Sequence, residues 1–324
     1  MLRYLAKRLL MMVPLLLGIT LISFTVIHLA PGEPTGLATE LNPRVTAEVR
    51  ERLRVFYGLD KPLHEQYFRW LVRIVKLDFG RSFSPDRRLV IDKILERLPI
   101  TVSLNVLSLL LIILIALPLG VLSATHQDTW LDRSTSLFVF IGFATPTFWA
   151  ALLLMILFGV NLGWLPISGL RSLNFDSLTP FWQAVDLLKH IVLPVTLSAL
   201  TSLAGLSRYM RSSMLEEIRQ DYVTTARAKG LGERVVVYKH ALRNALLPVI
   251  TVLGLSLPAL IGGSVIFESI FAINGMGKLF FDSVLSRDYP VVMGVLVMGA
   301  FLTLLGNLLA DISYAWSDPR IRYD

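Results

Sequence analysis

The stretch that decides the fold is LPITVSLNVLSLLLIILIALPLGVLSATHQ, which runs from Leu98 to Gln127. It contains no Asp, Glu, Lys or Arg, and each of these side chains costs about 2.5 to 3.5 kcal/mol at the centre of a membrane helix. About 20 apolar residues cross a bilayer, so this stretch is long enough to span one. The sequence therefore places this part of the chain in lipid.

Five further uncharged stretches, each at least 18 residues long, occur along the chain. Together they predict an all-α, polytopic membrane protein with six transmembrane helices. The fourth stretch only just reaches the spanning length, and the tail of the third, from Asn161 to Gly169, is expected to be a loop because Gly and Pro interrupt it. The five stretches are Leu9–Gly32, Ser134–Leu170, His190–Ser207, Asn244–Phe267 and Tyr289–Ala310.

The composition supports a membrane protein and argues against other classes. Hydrophobic residues make up 54% of the 324-residue chain and charged residues 17%, with a net charge of +7. In a membrane protein such a basic balance reflects Lys and Arg kept on the cytoplasmic side, so no nucleic-acid partner is expected. The chain has no cysteine, which excludes disulfides and thiolate metal sites.

Basic residues predict the orientation. With the N-terminus in the cytoplasm, the segments that face the cytoplasm carry most of the Lys and Arg, including eight between Arg208 and Arg243. Both termini are then cytoplasmic. The predicted organisation is an N-terminal tail with helix one (1–32), an extracytoplasmic segment with short helices (33–97), a transmembrane domain with helices two to six and a cytoplasmic loop at 208–243 (98–316), and a cytoplasmic tail (317–324).

The extracytoplasmic segment and the prolines carry two smaller predictions. His64–Lys76 places Tyr67, Trp70, Leu71 and Ile74 on one helical face, which fits either a cap resting on the outer helix ends or a partner-binding element. Five of the six spans contain a proline, and each of these prolines is either a hinge or an ordinary helix proline. They are Pro14, Pro118, Pro146, Pro194, and Pro248 with Pro258.

The basic loop between spans four and five has a helical pattern of its own. From Met214 to Lys229, apolar residues recur at spacings of three and four, and Gly230 ends the run. A second helix is expected to start near Gly232 and to continue into the fifth span. An amphipathic helix beneath a bundle needs a partner for its apolar stripe, and lipid headgroups and a second protein both satisfy this need.

The residues of this loop resemble a known docking motif. Thr224-Thr-Ala-Arg-Ala-Lys-Gly230, followed by His240-Ala-Leu-Arg243, is similar to the loop by which ABC-importer permeases dock onto their ATPase subunits. The general pattern there is Glu-Ala-Ala, three residues, Gly, nine residues, Ile-x-Leu-Pro. Ala226, Gly230 and Leu242 match it literally, while the threonines, His240 and Arg243 depart from it.

These departures are shared by the dipeptide/oligopeptide/nickel branch of ABC permeases, which the chain resembles over nearly its whole length. One departure from the branch is Asn274, where proline is usual before Gly-Met-Gly. The stretches that carry the resemblance are Pro31-Gly-Glu-Pro34, Gly58-Leu-Asp-Lys-Pro62, Asp78-Phe-Gly-Arg-Ser82, Arg97-Leu-Pro-Ile-Thr101, Ser212-Ser-Met-Leu-Glu216, Asp221-Tyr222, Arg227-Ala-Lys-Gly-Leu231, Ala241-Leu-Arg-Asn-Ala-Leu-Leu-Pro248, Arg287-Asp-Tyr-Pro290 and Asp318-Pro-Arg-Ile-Arg322.

The resemblance implies a type I ABC importer permease fold in a bacterial or archaeal cytoplasmic membrane. It implies a heterodimer with a second homologous permease, two cytoplasmic ATPases that bind ATP and Mg²⁺, and an extracytoplasmic solute-binding protein. Helix Leu215–Lys229 would then fit a groove on one ATPase, with Leu215, Tyr222 and Ala226 in contact. The docking residues implied are Leu215, Ile218, Asp221, Tyr222, Thr225, Ala226, Lys229, Gly230, Leu242 and Arg243.

An enzymatic or ATP-binding role for this chain itself finds no support in its motifs. Gly275-Met-Gly-Lys278 lacks the upstream glycine and the Ser or Thr of a phosphate-binding loop. The histidines are scattered singly, and no Gly-x-Ser-x-Gly occurs. We therefore expect no catalytic residue, no metal and no cofactor in this chain. The alternative function is an ATP-independent channel or carrier, which would not require a docking motif.

Uncharged side chains in spans two and three are the best candidates for lining a pathway, although ordinary interhelical packing explains them equally well. Asp311, at the inner end of span six, is read as an interfacial anchor or a pathway carboxylate. Dipeptides, longer peptides, glutathione, nickel chelates and sugars are the solutes that the resemblance leaves open. The pathway residues are Asn105, Thr145, Pro146, Phe148 and Trp149.

Overall fold

The computed structural model describes residues 2–29, 48, 51–52, 55 and 58–317. These residues are helical apart from their connections and one isolated bridge between Arg81 and Leu89. The all-α prediction is therefore confirmed for the described residues. The α-helices are α1 (Leu2–Leu29), α2 (Leu63–Val75), α3 (Val90–Thr125), α4 (Trp130–Ala144), α5 (Thr147–Leu154), α6 (Pro180–Ile218), α7 (Asp221–Ala228), α8 (Glu233–Val235), α9 (Leu242–Ser256), α10 (Val265–Ile270), α11 (Met276–Leu285) and α12 (Tyr289–Ser317).

Some predicted features lie outside the described residues. They are the motif Pro31–Pro34 and the C-terminal motif Asp318–Arg322. The expected cytoplasmic tail, residues 317–324, is described only at Ser317.

Five helices within the described ranges are long and apolar enough to cross a membrane, and the count is six if a bent pair forms one span. This matches the six predicted helices. The bent pair is α4 with α5 and the π-helical turns Met155–Asn161 that follow, and its axes meet at 99°. The third span, predicted as one helix, is therefore broken.

Pro146 explains this break. Thr145 and Pro146 have extended backbones, with ψ angles of 124° and 126°. Proline has no N–H to donate and disfavours the helical conformation of the residue before it. Pro14, Pro194 and Pro248 lie inside helices instead, so the hinge hypothesis is best placed at Pro146.

The fourth span is longer than its uncharged stretch predicts. The uncharged stretch His190–Ser207 is only the centre of α6, which is 39 residues long. The helix continues through charged residues on both sides of this stretch, and some of them have partners. Asp186 accepts hydrogen bonds from the Ser172 amide (2.9 Å) and hydroxyl (2.5 Å), and Arg211 binds Asp132. Charge-free length underestimates a helix whose ionic groups have partners.

The chain divides into two compact units. The first comprises Met1–Thr101, Ile261–Val265 and Asn274–Asp324. Within it α1 packs against α12, and Arg8 forms an ion pair with Asp311 at 2.9 Å. The carboxylate that the sequence assigned to the interface or to a pathway is thus bound to the first helix.

In the first unit, Asp288, just before α12, holds the loop at Ser82–Ser84 in place. The Asp288 side chain accepts hydrogen bonds from the Ser82 and Ser84 hydroxyls and from the Phe83 amide (3.0 Å). Asp288 itself is 1% exposed. Buried carboxylates of this kind are stabilised by the donors around them.

The second unit comprises Val102–Leu260 and Ile266–Ile273. In it α6 is the central helix, and α4, α5 and α9 pack against it. Gly120 in α3 lies against α6 so closely that a Cβ there would be 2.6 Å from the Cβ of Met210. Small residues at such crossings let membrane helices approach each other. The core of this unit extends down to α7, the helix of the basic loop.

Candidate functional site

The basic loop Arg208–Arg243 does not contain the single helix that the sequence predicts. Helix α6 ends at Ile218, and the eight-residue helix α7 begins at Asp221. Gln220 between them has an extended backbone, with φ −73° and ψ 149°, and its carbonyl accepts the Val223 amide at 3.0 Å. The predicted helix Leu215–Lys229 is therefore wrong.

The break has a local cause. A residue that caps a helix start is extended while its carbonyl accepts the first intrahelical bond, as Gln220 does here. Asp221 then provides a negative charge in the first turn, where the helix dipole favours it. The hydrophobic period continues across the break, so periodicity alone does not reveal it.

The apolar stripe of α7 faces the chain's own core. Val223 is 0% exposed and Ala226 is 5% exposed. Both belong to a cluster that includes Met210 and Met214 of α6 and Val236. The expectation that this stripe is free for headgroups or a second protein is therefore wrong for Ala226, because α7 uses its buried side to pack on α6 and on the segment Val236–Ala241.

The predicted docking residues divide into two groups. Four are turned inward: Leu215, Ile218, Ala226 and Leu242 belong to the core cluster or pack against it. The other six are exposed, namely Asp221, Tyr222, Thr225, Lys229, Gly230 and Arg243.

Tyr222 is fixed on the exposed side of α7. Its hydroxyl donates a hydrogen bond to the Glu217 carboxylate at the end of α6. Partial burial raises the pKa of Tyr222 above its usual value of 10.0, and the bond to Glu217 raises it further. The phenol is therefore protonated at neutral pH and ties α7 to α6 across the Gln220 break.

The turn after α7 agrees with the sequence prediction. Gly230 has φ +78°, a left-handed conformation that glycine adopts without strain. Its amide donates to the Arg227 carbonyl at 2.9 Å, which closes the end of α7. Gly232 then precedes α8 in an extended conformation, and Val236–Ala241 is a π-helical stretch that leads into α9. The predicted glycine turn and the helix that follows it are confirmed, while the helix before the turn is shortened to Asp221–Ala228.

An ion pair bridges this turn. The Arg227 guanidinium binds the Glu233 carboxylate with both nitrogens, Nε at 3.2 Å and Nη2 at 2.7 Å. Both side chains are exposed, so solvent weakens the pair to about 0–1 kcal/mol. The bidentate geometry fixes the orientation of the turn more than its stability.

A buried ionic cluster next to the loop escaped the sequence reasoning. Asp132, in the first turn of α4, accepts two hydrogen bonds from Arg211 of α6, at 2.9 and 2.7 Å. The Ser123 hydroxyl and the Asp128 amide (3.0 Å) are further donors to it. The available signal was a lone carboxylate at the start of an apolar span, since such groups are rarely left unpaired.

The pathway candidates lie on different helices and in different surroundings. Asn105 donates to the Leu260 carbonyl at 2.8 Å, so its amide holds the end of the 3₁₀ turn Leu257–Leu260. Phe148 and Trp149 are 54% and 52% exposed on α5, directly after the Pro146 break. Their assignment to a pathway stays a prediction.

The glycine-rich segment before α11 serves packing and helix capping. Gly275 is extended at the N-terminus of α11, and the Met276 amide donates to the Thr101 hydroxyl at 2.8 Å. A Cβ at Gly277 would lie 2.6 Å from the backbone of Ser264. Lys278 pairs with Asp282 at 2.8 Å. Helix capping and close packing therefore account for the two glycines of this segment.

The apolar spans, together with a half-exposed helix and a glycine turn packed on their core, define a polytopic membrane protein. The chain belongs to the family described as "binding-protein-dependent transport system inner membrane component", whose model matches residues 116–323. The N-terminal model of the same transport family matches residues 1–105. The protein is accordingly a permease subunit of a binding-protein-dependent ABC importer.

Similar proteins extend over the full chain. The oligopeptide transport system permease protein AppB of Bacillus subtilis is 45% identical over 320 residues, which are 99% of each chain. The dipeptide transport system permease protein DppB of Alkalihalophilus pseudofirmus is 36% identical and covers 100% of each chain.

A solved structure supports the fold. A chain of the MetNI methionine ABC transporter matches with a TM-score of 0.51 and 18% identity, covering 68% of this chain and 96% of that one. The type I ABC importer permease fold expected from the sequence is consistent with this likeness.

Proposed function

We propose that this chain forms half of a peptide translocation pathway, with a second homologous permease as the other half, and that exposed residues of α7 and its glycine turn dock onto a partner ATPase. ATP and Mg²⁺ bind to the ATPases, and this chain hydrolyses nothing. An extracytoplasmic binding protein delivers the solute. The membrane is the cytoplasmic membrane of a bacterium or archaeon.

The single observation that carries the docking proposal is the two-sided character of α7. Val223 and Ala226 are buried in a core shared with α6 and α9, while Tyr222 and Thr225 on the same helix are exposed. A partner that moves the exposed side therefore moves two membrane helices with it, because packed cores shift as units.

The proposed solute class follows from the relatives. Those that match over full length are named for oligopeptide and dipeptide transport. Peptide length is set chiefly by the binding protein in this scheme, and Phe148, Trp149 and Asn105 are the proposed pathway residues.

The orientation proposed here has both termini in the cytoplasm. The segment Arg208–Arg243, from the end of α6 to the start of α9, carries eight basic residues, and the positive-inside tendency assigns it to the cytoplasmic side. The ATPases are cytoplasmic, so docking at α7 requires this orientation.

Cysteine cross-linking tests the docking proposal, because the native chain has no cysteine. Thr225→Cys, on the exposed side of α7, should cross-link to the co-purified ATPase when a short bifunctional thiol reagent meets an engineered cysteine on the ATPase groove. Ala226→Cys is the matched control one residue away, and its burial should prevent the reaction. Labelling of Thr225→Cys only by external impermeant reagents would invert the orientation.

The carrier alternative is tested in the same preparation. Vesicles that contain both permeases but no ATPase should accumulate no labelled peptide. Uptake without the ATPases, together with no cross-link from Thr225→Cys, would replace the proposed importer with an ATP-independent carrier.

A further inference from the structure

Helix α2, in the segment between the first two spans, has three distinct faces. One apolar face carries Tyr67, Trp70 and Ile74, a second carries Phe68, Val72 and Val75, and a polar face carries Glu65, Arg69 and Arg73. Helical spacing of three and four residues produces each set. Only one apolar face is needed to attach a helix to its own protein, so the second requires an explanation.

The first face attaches α2 to α1. The Tyr67 ring lies 5.3 Å from the Phe24 ring and the Trp70 ring 6.2 Å from it, centroid to centroid. The Tyr67 hydroxyl is also 3.0 Å from the Thr20 hydroxyl, within hydrogen-bonding distance. The predicted cap is therefore confirmed as a helix packed on the end of the first span, and its contacts reach more than two turns down that span.

These contacts fix the depth of α2 in the membrane. The apolar part of α1, Lys7–Leu29, has 23 residues and is about 34 Å long, which matches the thickness of the hydrocarbon core. Phe24 and Thr20 lie about 7 and about 13 Å below Leu29 along the helix axis. Helix α2 is therefore level with the boundary between headgroups and acyl chains, and not above it.

The second apolar face is exposed, and none of the residues that the structure describes covers it. Phe68 is 62% exposed, Val72 54% and Val75 77%. Helix α1, against which α2 rests, is also the least buried candidate span, with 17% of its apolar window buried. Both observations put the open face of α2 on the perimeter of the unit.

The polar face points to water. Arg69, Arg73 and Gln66 line an open cavity of about 540 Å³. Arg69 also pairs with Glu65 one turn earlier, at 2.5 Å. Long basic side chains beside an apolar face are typical of helices that lie in a membrane interface, because the charged ends stay in the headgroup layer.

We infer that α2 is an interfacial helix that inserts Phe68, Val72 and Val75 into the acyl region of the leaflet at the outer end of α1. Its partner is the lipid bilayer itself. The helix then fixes the level of the first span in the membrane, as interfacial anchors do. The inference rests on depth and exposure alone and does not require the ATPase to dock at α7.

Depth-dependent quenching tests this inference in the assembled transporter. Phe68→Cys, Val72→Cys and Val75→Cys are labelled with an NBD fluorophore in vesicles of phosphatidylcholine and phosphatidylglycerol, with or without phosphatidylcholine that carries a nitroxide near the top of the acyl chain. Quenching by the nitroxide lipid should be at least about twofold stronger at these sites than at the control Arg73→Cys. Iodide in the water should show the opposite order.

Two results would overturn the inference. Equal lipid quenching at Val72→Cys and Arg73→Cys would place the stripe in water. Protection of Val72→Cys from both quenchers would show that a protein surface, from the second permease or another copy, covers it. Elution of the labelled complexes as the native assembly confirms that the variants fold.

Discussion

Arg211 of α6 binds Asp132 of α4 through two nitrogens, Nε to Oδ1 at 2.9 Å and Nη2 to Oδ2 at 2.7 Å. The Asp132 side chain is 6% exposed and that of Arg211 30%. The pair lies one turn from Met214, which is part of the core that receives α7. In the proposed docking, a movement of α7 would therefore reach α4 as well as α6 and α9, and the third span would move with them.

Loss of one partner should be costly. Arg211→Ala leaves the Asp132 carboxylate buried with only Ser123 and the Asp128 amide as donors, and we expect a loss of about 3 to 5 kcal/mol in the free energy of unfolding. Arg208→Ala, an exposed site on the same helix, should change it by no more than about 0.5 kcal/mol. Thermal unfolding of the solubilised complex measures both.

The double replacement separates a stability role from a positional one. Asp132→Leu with Arg211→Met removes both charges and should recover most of the lost stability, because a buried pair is often replaceable by apolar residues of similar volume. Equal loss in the single and double variants would contradict the ion pair as the cause. If stability is recovered but ATP-coupled uptake is not, the ion pair is needed to couple the movement of α6 to α4.

The turn after α7 supplies the second prediction. Gly230→Thr forces a β-branched residue to φ +78° and should cost about 1 to 3 kcal/mol in local strain, although a Cβ there would meet no atom within 4 Å. The turn would therefore change its backbone, and peptide uptake and ATPase stimulation should be lost while membrane insertion persists.

Gly232→Thr is the matched control two residues later. Gly232 has φ −61° and precedes α8 as its N-cap, a position where threonine is favoured. Uptake by this variant should be close to the native rate. Normal uptake by Gly230→Thr, measured with labelled dipeptide in vesicles, would show that the docking geometry does not depend on the left-handed turn.

Helix packing in the second unit gives the third prediction. Gly120→Ala would bring a Cβ to 2.6 Å from the Met210 Cβ and 2.8 Å from the Ser207 carbonyl oxygen, so α3 and α6 must separate. Overpacking of this kind costs about 1 to 3 kcal/mol. The unfolding temperature of the purified complex should fall accordingly.

Gly205→Ala is the comparison for this site. Gly205 lies in α6, and a Cβ there would meet nothing within 4 Å. Alanine is the better helix former by about 1 kcal/mol, so this variant should unfold at the native temperature or slightly above it. A similar fall for both variants would mean that the close contact with Met210 is not the cause, because a Cβ at Gly205 has no such contact.

The sequence by itself determined the class of fold and the position of the functional loop. Charge-free length is a strong constraint in lipid because each unpaired charge is expensive there, and it located the six spans. Gly230 was also assigned correctly, since a glycine that ends a helical pattern signals a left-handed turn. Both inferences depend on chemistry that acts within a few neighbouring residues.

The tertiary structure alone decided where charges find partners and which faces are free. Helix α6 extends beyond the uncharged stretch His190–Ser207, and its Arg211 is paired with Asp132, 79 residues earlier in the chain. The stripe of α7 was periodic in sequence whether it faced a partner or the chain's own core, and only packing showed that Ala226 is buried. In α2, by contrast, the apolar face that contains Val72 is exposed. Sequence periodicity shows that one face of a helix is apolar. Residues distant in the chain and the membrane determine what covers that face.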